Sequence, residues 1–229
     1  MPDHLSGVVQ EQFAQVAARY HGLVLTRVGE MHFLRGPLEF HAEYEGKEVR
    51  DTFEVEISIL QDYPDSIPLT WETGGRIPPE YHKLGGGALC FAAPFEVRRR
   101  FAARPTLHGY IQDLLVPYLF AFSYKERYGT MPFGELAHGG EGILQYYCEL
   151  LGVSEIPALR LLASLAQGGK SPKRCPCGSG RRLRDCHGPI LQQIGAIHER
   201  NMLMREYDLC TNHMQKVIRL LDCIRLQAR

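Results

Sequence analysis

The stretch that decides the fold is Val49-Arg50-Asp51-Thr52-Phe53-Glu54-Val55-Glu56-Ile57-Ser58-Ile59-Leu60. Phe53, Val55, Ile57 and Ile59 alternate with Glu54, Glu56 and Ser58, so one face of this strand is apolar and the other wet. Such a strand belongs to an antiparallel sheet covered on one side. Working outward toward the N-terminus, β-forming runs cover 22–28 and 38–44, punctuated by Gly29-Glu30 and Glu45-Gly46. Before them Leu5, Val9, Phe13, Val16 and Tyr20 recur at helical spacing, with Ser6 as a cap and Gly22 as a stop. Toward the C-terminus, the prolines of Tyr63-Pro64-Asp65-Ser66-Ile67-Pro68 forbid helix and predict an extended turn. Leu69 to Glu72, with the single tryptophan Trp71, supplies a fourth strand. The expected class is α+β: an N-terminal helix, a four-stranded antiparallel meander, then helices.

From Thr73 to Arg104 the periodicity is lost amid Gly74-Gly75, Pro78-Pro79 and Gly85 to Gly87. About thirty irregular residues inside a compact domain are usually functional. Within them Tyr81-His82-Lys83-Leu84-Gly85-Gly86-Gly87-Ala88-Leu89-Cys90-Phe91 delivers one thiol out of glycine-loosened chain. Cys90 reads as a nucleophile reachable from solvent; the competing reading is a small core filler. Arg98-Arg99-Arg100 either docks an acidic partner or is simply wet. Thr106 caps a helix in which Leu107, Ile111, Leu114 and Tyr118 share a face and which Pro117 is expected to kink or shorten. Further helices fit 141–151, where Leu144, Cys148 and Leu151 align and make Cys148 a core residue, and 156–166, ended by Gly168-Gly169.

The chain has 229 residues, 45% of them apolar, enough for one full domain and a smaller appendage. With 26 basic and 26 acidic residues it has no overall charge to favour nucleic acid or a membrane surface. No apolar run reaches the roughly 18 residues that span a bilayer, and Met1-Pro2-Asp3-His4 lacks the features of a signal peptide, so the expected compartment is the cytoplasm. In that reducing setting closely spaced cysteines read as metal ligands rather than disulfides.

The order of N-terminal helix, four-strand meander, Tyr-Pro-x-x-x-Pro turn, irregular segment with Leu89-Cys90, and helices resembles the ubiquitin-conjugating enzyme fold over roughly residues 5 to 150. The resemblance implies that Cys90 accepts a ubiquitin-like protein as a thioester from an adenylating activating enzyme and passes it to an amine of a target protein. A thiolate suits this chemistry because it is both nucleophile and leaving group. The family's eukaryotic members carry an asparagine about eight residues before the cysteine; here that position is His82. The pattern is similar to that of divergent bacterial members, which implies an antiphage defence setting. His82 then either steadies the oxyanion or deprotonates the amine, unless it merely packs under the loop. His138, in Pro132-Phe133-Gly134-Glu135-Leu136-Ala137-His138-Gly139-Gly140-Glu141, is a further candidate neighbour of the site, or a solvated histidine at a helix cap. The alternative function is a binding-only adaptor for a ubiquitin-like protein or defence component.

Cys175-Pro176-Cys177-Gly178-Ser179-Gly180-Arg181-Arg182-Leu183-Arg184-Asp185-Cys186-His187 offers three thiolates and an imidazole, the donor set of a closed tetrahedral zinc site. It resembles the SEC-C motif, an interaction element, with all four expected ligands present: Cys175, Cys177, Cys186 and His187. The implied cofactor is a structural Zn2+. Lys170, Lys173, Arg174, Arg181, Arg182 and Arg184 surround it; docking to a protein is expected ahead of nucleic acid. After Pro189 the pattern Leu203, Tyr207, Cys210, Met214, Val217, Leu221, Ile224 forms a helical seam that buries itself or pairs with a second copy as a homodimer, with Cys210 on it and Cys223 beside it. The domain reading is 1–152 conjugating-like, 153–174 helix and linker, 175–188 zinc knuckle, 189–229 helical tail.

Overall fold

The computed structural model describes residues 4–134, 137–168 and 173–227, the side chains of residue 4 and of 220–227 excepted. Lys170, and the side chains of Leu221, Cys223 and Ile224, therefore lie outside the described residues. The chain divides into two compact units, one of residues 1–92 and 100–135 and the other of residues 93–99 and 136–229.

The first unit is α+β. Helix α1 (His4–Arg19) precedes β1 (Val24–Val28), β2 (Met31–Tyr44), β3 (Lys47–Ile59) and β4 (Leu69–Glu72), which pair antiparallel in that order. The alternation of β3 holds, with Phe53, Val55, Ile57 and Ile59 buried and Glu54 exposed. Ser58 departs from it. Expected on the wet face, it is buried, because here β3 runs between two neighbours and Ser58 sits opposite Phe33 and Leu69, whose larger side chains shade it.

Strand β2 starts at Met31 rather than at Leu38: Gly36 and Pro37, outside the expected run, pair with Val55 and Glu54. Pairing with β1 stops at Arg35, so beyond it one side of β2 is an edge, where a missing N–H costs no ladder bond. Gly36 (φ 128°) is required there: a Cβ would meet the Gly22 carbonyl oxygen at 2.3 Å. On α1, Gln12 Oε1 accepts from the Tyr63 hydroxyl at 2.5 Å and from the Leu107 N–H at 2.8 Å, tying the Tyr-Pro turn to the next helix.

Helix α2 (Pro94–Ala103) lies inside the stretch read as irregular, a correction to that reading. Its start signals, Pro94 at the first position and Glu96 in the first turn, were present in the sequence. Residues 94–99 group with the second unit and 100–103 with the first. Then α3 (Leu107–Tyr110), a π turn (Ile111–Leu115) and α4 (Val116–Tyr128) follow without a break. Leu107, Ile111, Leu114 and Tyr118 are buried as their spacing predicts. Pro117 does not end the helix: the Val116 N–H bonds to the Ile111 carbonyl, and this wider turn accommodates the ring.

The second unit is helical, with α5 (Gly139–Leu151), α6 (Glu155–Ala166), a 3-10 turn (Leu183–Asp185), α7 (Gly188–Ile197) and α8 (Arg200–Gln227). Its core gathers Phe95, Leu144, Tyr147, Leu161, Leu191 and Leu203, with Cys210 buried and Cys148 packed against it. On the tail seam, Leu203 and Cys210 are buried, Tyr207 and Met214 half-buried, and Val217 is 36% exposed. Helix α5 crosses α8 at Gly140, where a Cβ would meet the Leu209 carbonyl oxygen at 2.1 Å. One polar cluster is sealed in this core. The Tyr147 hydroxyl donates to Glu206 Oε2, and His198 Nε2 lies 3.0 Å from Glu206 Oε1, with both His198 and Glu206 side chains 2% exposed. Burial, joined by the Glu206 charge, pushes the Tyr147 phenol up.

Candidate functional site

Cys90 closes a small hairpin. Its N–H donates to the His82 carbonyl at 2.7 Å, Lys83 and Leu89 form an isolated bridge, and the Leu84 N–H donates to the Ala88 carbonyl at 2.7 Å. Gly86 and Gly87 take positive φ at its tip, which the Trp71 indole N–H holds through the Gly86 carbonyl at 3.0 Å. The Leu89 N–H donates to the Thr70 carbonyl at 2.8 Å, so the hairpin hangs from β4. Beneath it the buried Tyr118 hydroxyl lies 3.2 Å from both the Tyr81 and His82 carbonyls, and Phe91 packs edge-on against Tyr110 and Tyr118.

Polar anchors order the chain leading in. Arg76 forks onto Asp51 at 2.7 and 2.8 Å while its guanidinium covers the Phe53 ring at 4.6 Å. Burial alone would raise the Asp51 carboxyl, but the Arg76 and Ser123 hydrogen bonds outweigh it and hold it below its ordinary value. Glu72 Oε2 accepts from the Ile77 N–H at 3.1 Å, and Lys83 Nζ donates to the Ile77 carbonyl at 2.7 Å.

The Cys90 thiol is half-buried, 3.9 Å from the Ala92 carbonyl, and burial pushes it above the ordinary thiol value. His82 stands directly across the hairpin from Cys90, with φ 33° and its ring edge-on to Tyr81 at 4.9 Å. His138 heads α5 as its exposed N-cap residue, in the second unit, whereas Cys90 belongs to the first. Of the arginine run, Arg99 forks onto Glu96 at 2.7 and 2.8 Å.

The knuckle brings its four side chains together. The donor atoms of Cys175, Cys177, Cys186 and His187 all lie within 4.8 Å of one another. His187 Nδ1 is 3.2 Å from the sulfurs of both Cys175 and Cys186, and the Cys177 and Cys186 sulfurs are 3.7 Å apart. A zinc ion at ordinary bond lengths in a tetrahedron needs sulfurs roughly 3.8 Å apart and sulfur to nitrogen roughly 3.6 Å, so the four atoms fit that ion. The other ring nitrogen, Nε2, lies 2.9 Å from the Leu151 carbonyl, which accepts its N–H and so leaves Nδ1 unprotonated as the donor to a metal. The backbone is set by the Cys175 N–H on the Arg181 carbonyl at 2.8 Å and the Leu183 N–H on the Lys173 carbonyl at 3.2 Å.

Sequence reasoning missed the groups around those ligands. Ser179 Oγ lies 3.2 Å from the Cys177 sulfur and 3.5 Å from that of Cys186, and an Arg181 nitrogen lies 3.3 Å from Cys186. The Ser179 hydroxyl brings Cys177 down to about 6 and lowers Cys186 as well, while burial raises Cys175. Cys177 is thus biased toward the thiolate, the form that binds a metal. The Gly178-Ser179-Gly180 turn was the available signal for Ser179, whereas nothing local marks the Leu151 carbonyl or Tyr118.

Residues 172–189 match the SEC-C motif family, a zinc-binding type. No curated protein and no solved structure matches the chain. Among the described residues no helix is long and apolar enough to cross a membrane.

Proposed function

We propose that this chain is a ubiquitin-conjugating-like transferase that carries a ubiquitin-like protein as a thioester on Cys90 and delivers it to an amine of a target, in a bacterial antiphage setting. The observation that supports the reading is the presentation of Cys90: a half-exposed thiol at the foot of a glycine hairpin that hangs from the fourth strand of a helix-and-meander unit. In loading, the Cys90 sulfur bonds to the modifier's terminal carbonyl carbon, the bond to the activating enzyme's sulfur breaks, and the Cys90 proton ends on that departing sulfur. In transfer, a C–N bond forms, the C–S bond breaks and Cys90 leaves as a thiol. His82, opposite Cys90, serves the second step by donating to the oxyanion or taking the amine proton. The zinc is structural, because four protein ligands leave no open position for substrate.

A binding-only adaptor is the second reading, and the elevated thiol favours it, since burial works against the thiolate that loading needs. Incubation with ATP, activating enzyme and ubiquitin-like protein separates the two. The transferase forms a reductant-sensitive adduct that Cys90→Ala abolishes and Cys90→Ser converts to a reductant-resistant ester. His82→Ala loads normally and transfers slowly. An adaptor binds the modifier equally well with or without the Cys90 sulfur and forms no adduct, which would sink the transferase reading.

A further inference from the structure

The knuckle carries a charge arrangement that its metal site does not need. Arg174 and Arg182 face each other directly across the short ribbon that holds the ligand cysteines. Like charges directly opposite on adjacent strands repel and destabilise the pair. Between 173 and 187 there are five cations, Lys173, Arg174, Arg181, Arg182 and Arg184, against the single carboxylate of Asp185. That carboxylate pairs with Arg184 at 3.5 Å in an exposed contact, which offsets little. Lys173 and Arg182 have no ion pair among the described residues. A zinc ion with three thiolates carries about one negative charge in total, so the centre itself leaves most of this excess unbalanced.

These cations converge. Lys173, Arg174, Arg182 and Arg184 line one cavity of about 640 Å³, within the usual size range of small-molecule sites. Gly188 reaches the same cavity as the first residue of the ten-residue helix α7, whose N-terminal end adds partial positive charge. Among the described residues no aromatic side chain lines it. With cations and no ring platform in the lining, recognition falls first on a compact, highly charged anion. Four cations line the cavity and Asp185 offsets little of their charge, which suits the roughly four negative charges of three linked phosphates better than the roughly two of a single one. Arginine forks suit phosphate oxygens in pairs.

We propose that this cavity binds an oligophosphate, the linked phosphates of a nucleoside triphosphate or an inorganic polyphosphate, independently of the chemistry at Cys90. Inorganic tripolyphosphate titrated calorimetrically into the zinc-loaded full chain in low salt tests it. The expected result is saturable one-to-one binding that weakens severalfold as salt rises from about 50 to about 200 mM. Each of Arg174→Gln and Arg182→Gln costs about tenfold in affinity, the usual worth of one charge-assisted contact. Arg182→Lys recovers part of that, and Arg160→Gln on α6, outside the cavity, changes nothing. Zinc content measured by native mass spectrometry before and after titration certifies that each variant keeps its metal. ATP binding as tightly as tripolyphosphate supports a free nucleotide as the source. A 5′-triphosphorylated oligonucleotide binding tenfold tighter than either overturns it in favour of a nucleic-acid end. No saturable heat, equal loss in Arg160→Gln, or tighter binding by a glutamate-rich peptide of the same charge also overturns it, the last in favour of an acidic protein partner.

Discussion

Replacing Glu206 by alanine tests the account of the helical unit most sharply. Glu206 accepts from the Tyr147 hydroxyl and from His198 Nε2, and all three side chains are buried. Its removal strands two buried donors, each costing about 1–3 kcal/mol. The lost methylene adds about 0.8 kcal/mol of apolar burial. The sum centres near 5 kcal/mol, at the top of the roughly 3–5 kcal/mol seen when one partner of a buried pair is removed. Because the chain has two units, the fitting assay is hydrogen exchange followed by mass spectrometry on peptides of α5 and α8 rather than a single melting curve. Protection of their slowest amides should fall by about three orders of magnitude, while peptides of β2 and β3 stay unchanged. The same logic predicts that Tyr147→Phe, His198→Leu and Glu206→Leu combined restores most of that protection, since no polar group is then left unpaired. A loss below about tenfold in Glu206→Ala, or a triple variant as labile as the single one, would refute the reasoning and assign the effect to packing alone.

Two further predictions concern the thiols. Cys186→Ser or a strong chelator should abolish zinc binding and the exchange protection of 173–191, leaving the sheet unit intact; zinc affinity measured by competition should fall as pH drops, first as Cys175, raised by burial, takes up its proton and more steeply below about pH 6, where Cys177 is protonated as well. Cys90, raised by burial, holds less thiolate near neutrality than an unfolded cysteine, so its alkylation by intact mass should be slower at pH 7 and its pH midpoint higher, and a rate above that of the denatured chain would contradict the placement of the sulfur.

The meander and the knuckle were legible because each is written in local residues. Alternation over Phe53 to Ile59 fixes one buried face, and four donors within thirteen positions fix the metal cluster. What escaped was decided by contacts far along the chain. The run expected from Leu38 extends back through Gly36-Pro37 because β1 ends beside them, and Ser58 reads as wet until Phe33 and Leu69 flank it. Pro117, expected to kink or shorten its helix, is taken up by the wider turn that precedes it. Helix α2 was overlooked for a different reason: its apolar positions, Phe95 and Phe101, are buried in different units, so no continuous stripe runs along it. The Leu151 carbonyl that fixes the His187 tautomer is a backbone atom, and no residue type announces it.

The half-burial of Cys90 bears on the proposed chemistry in both directions. Desolvation disfavours the thiolate and so slows loading by any small thioester that brings no docking energy of its own. Once acylated, the sulfur carries no charge, and the surroundings that penalised the thiolate no longer penalise the intermediate. They do penalise its departure: a thiol with an elevated pKa is a poorer leaving group, so spontaneous hydrolysis of the thioester is slow and the acyl group waits for a positioned amine. Productive transfer then requires a proton donor and an oxyanion partner at the moment of attack, which is the work assigned to His82 across the hairpin. A His82→Ala variant that accumulates a long-lived Cys90 adduct would place the histidine in that step, whereas a variant whose adduct decays at the wild-type rate with and without amine would remove it from the chemistry.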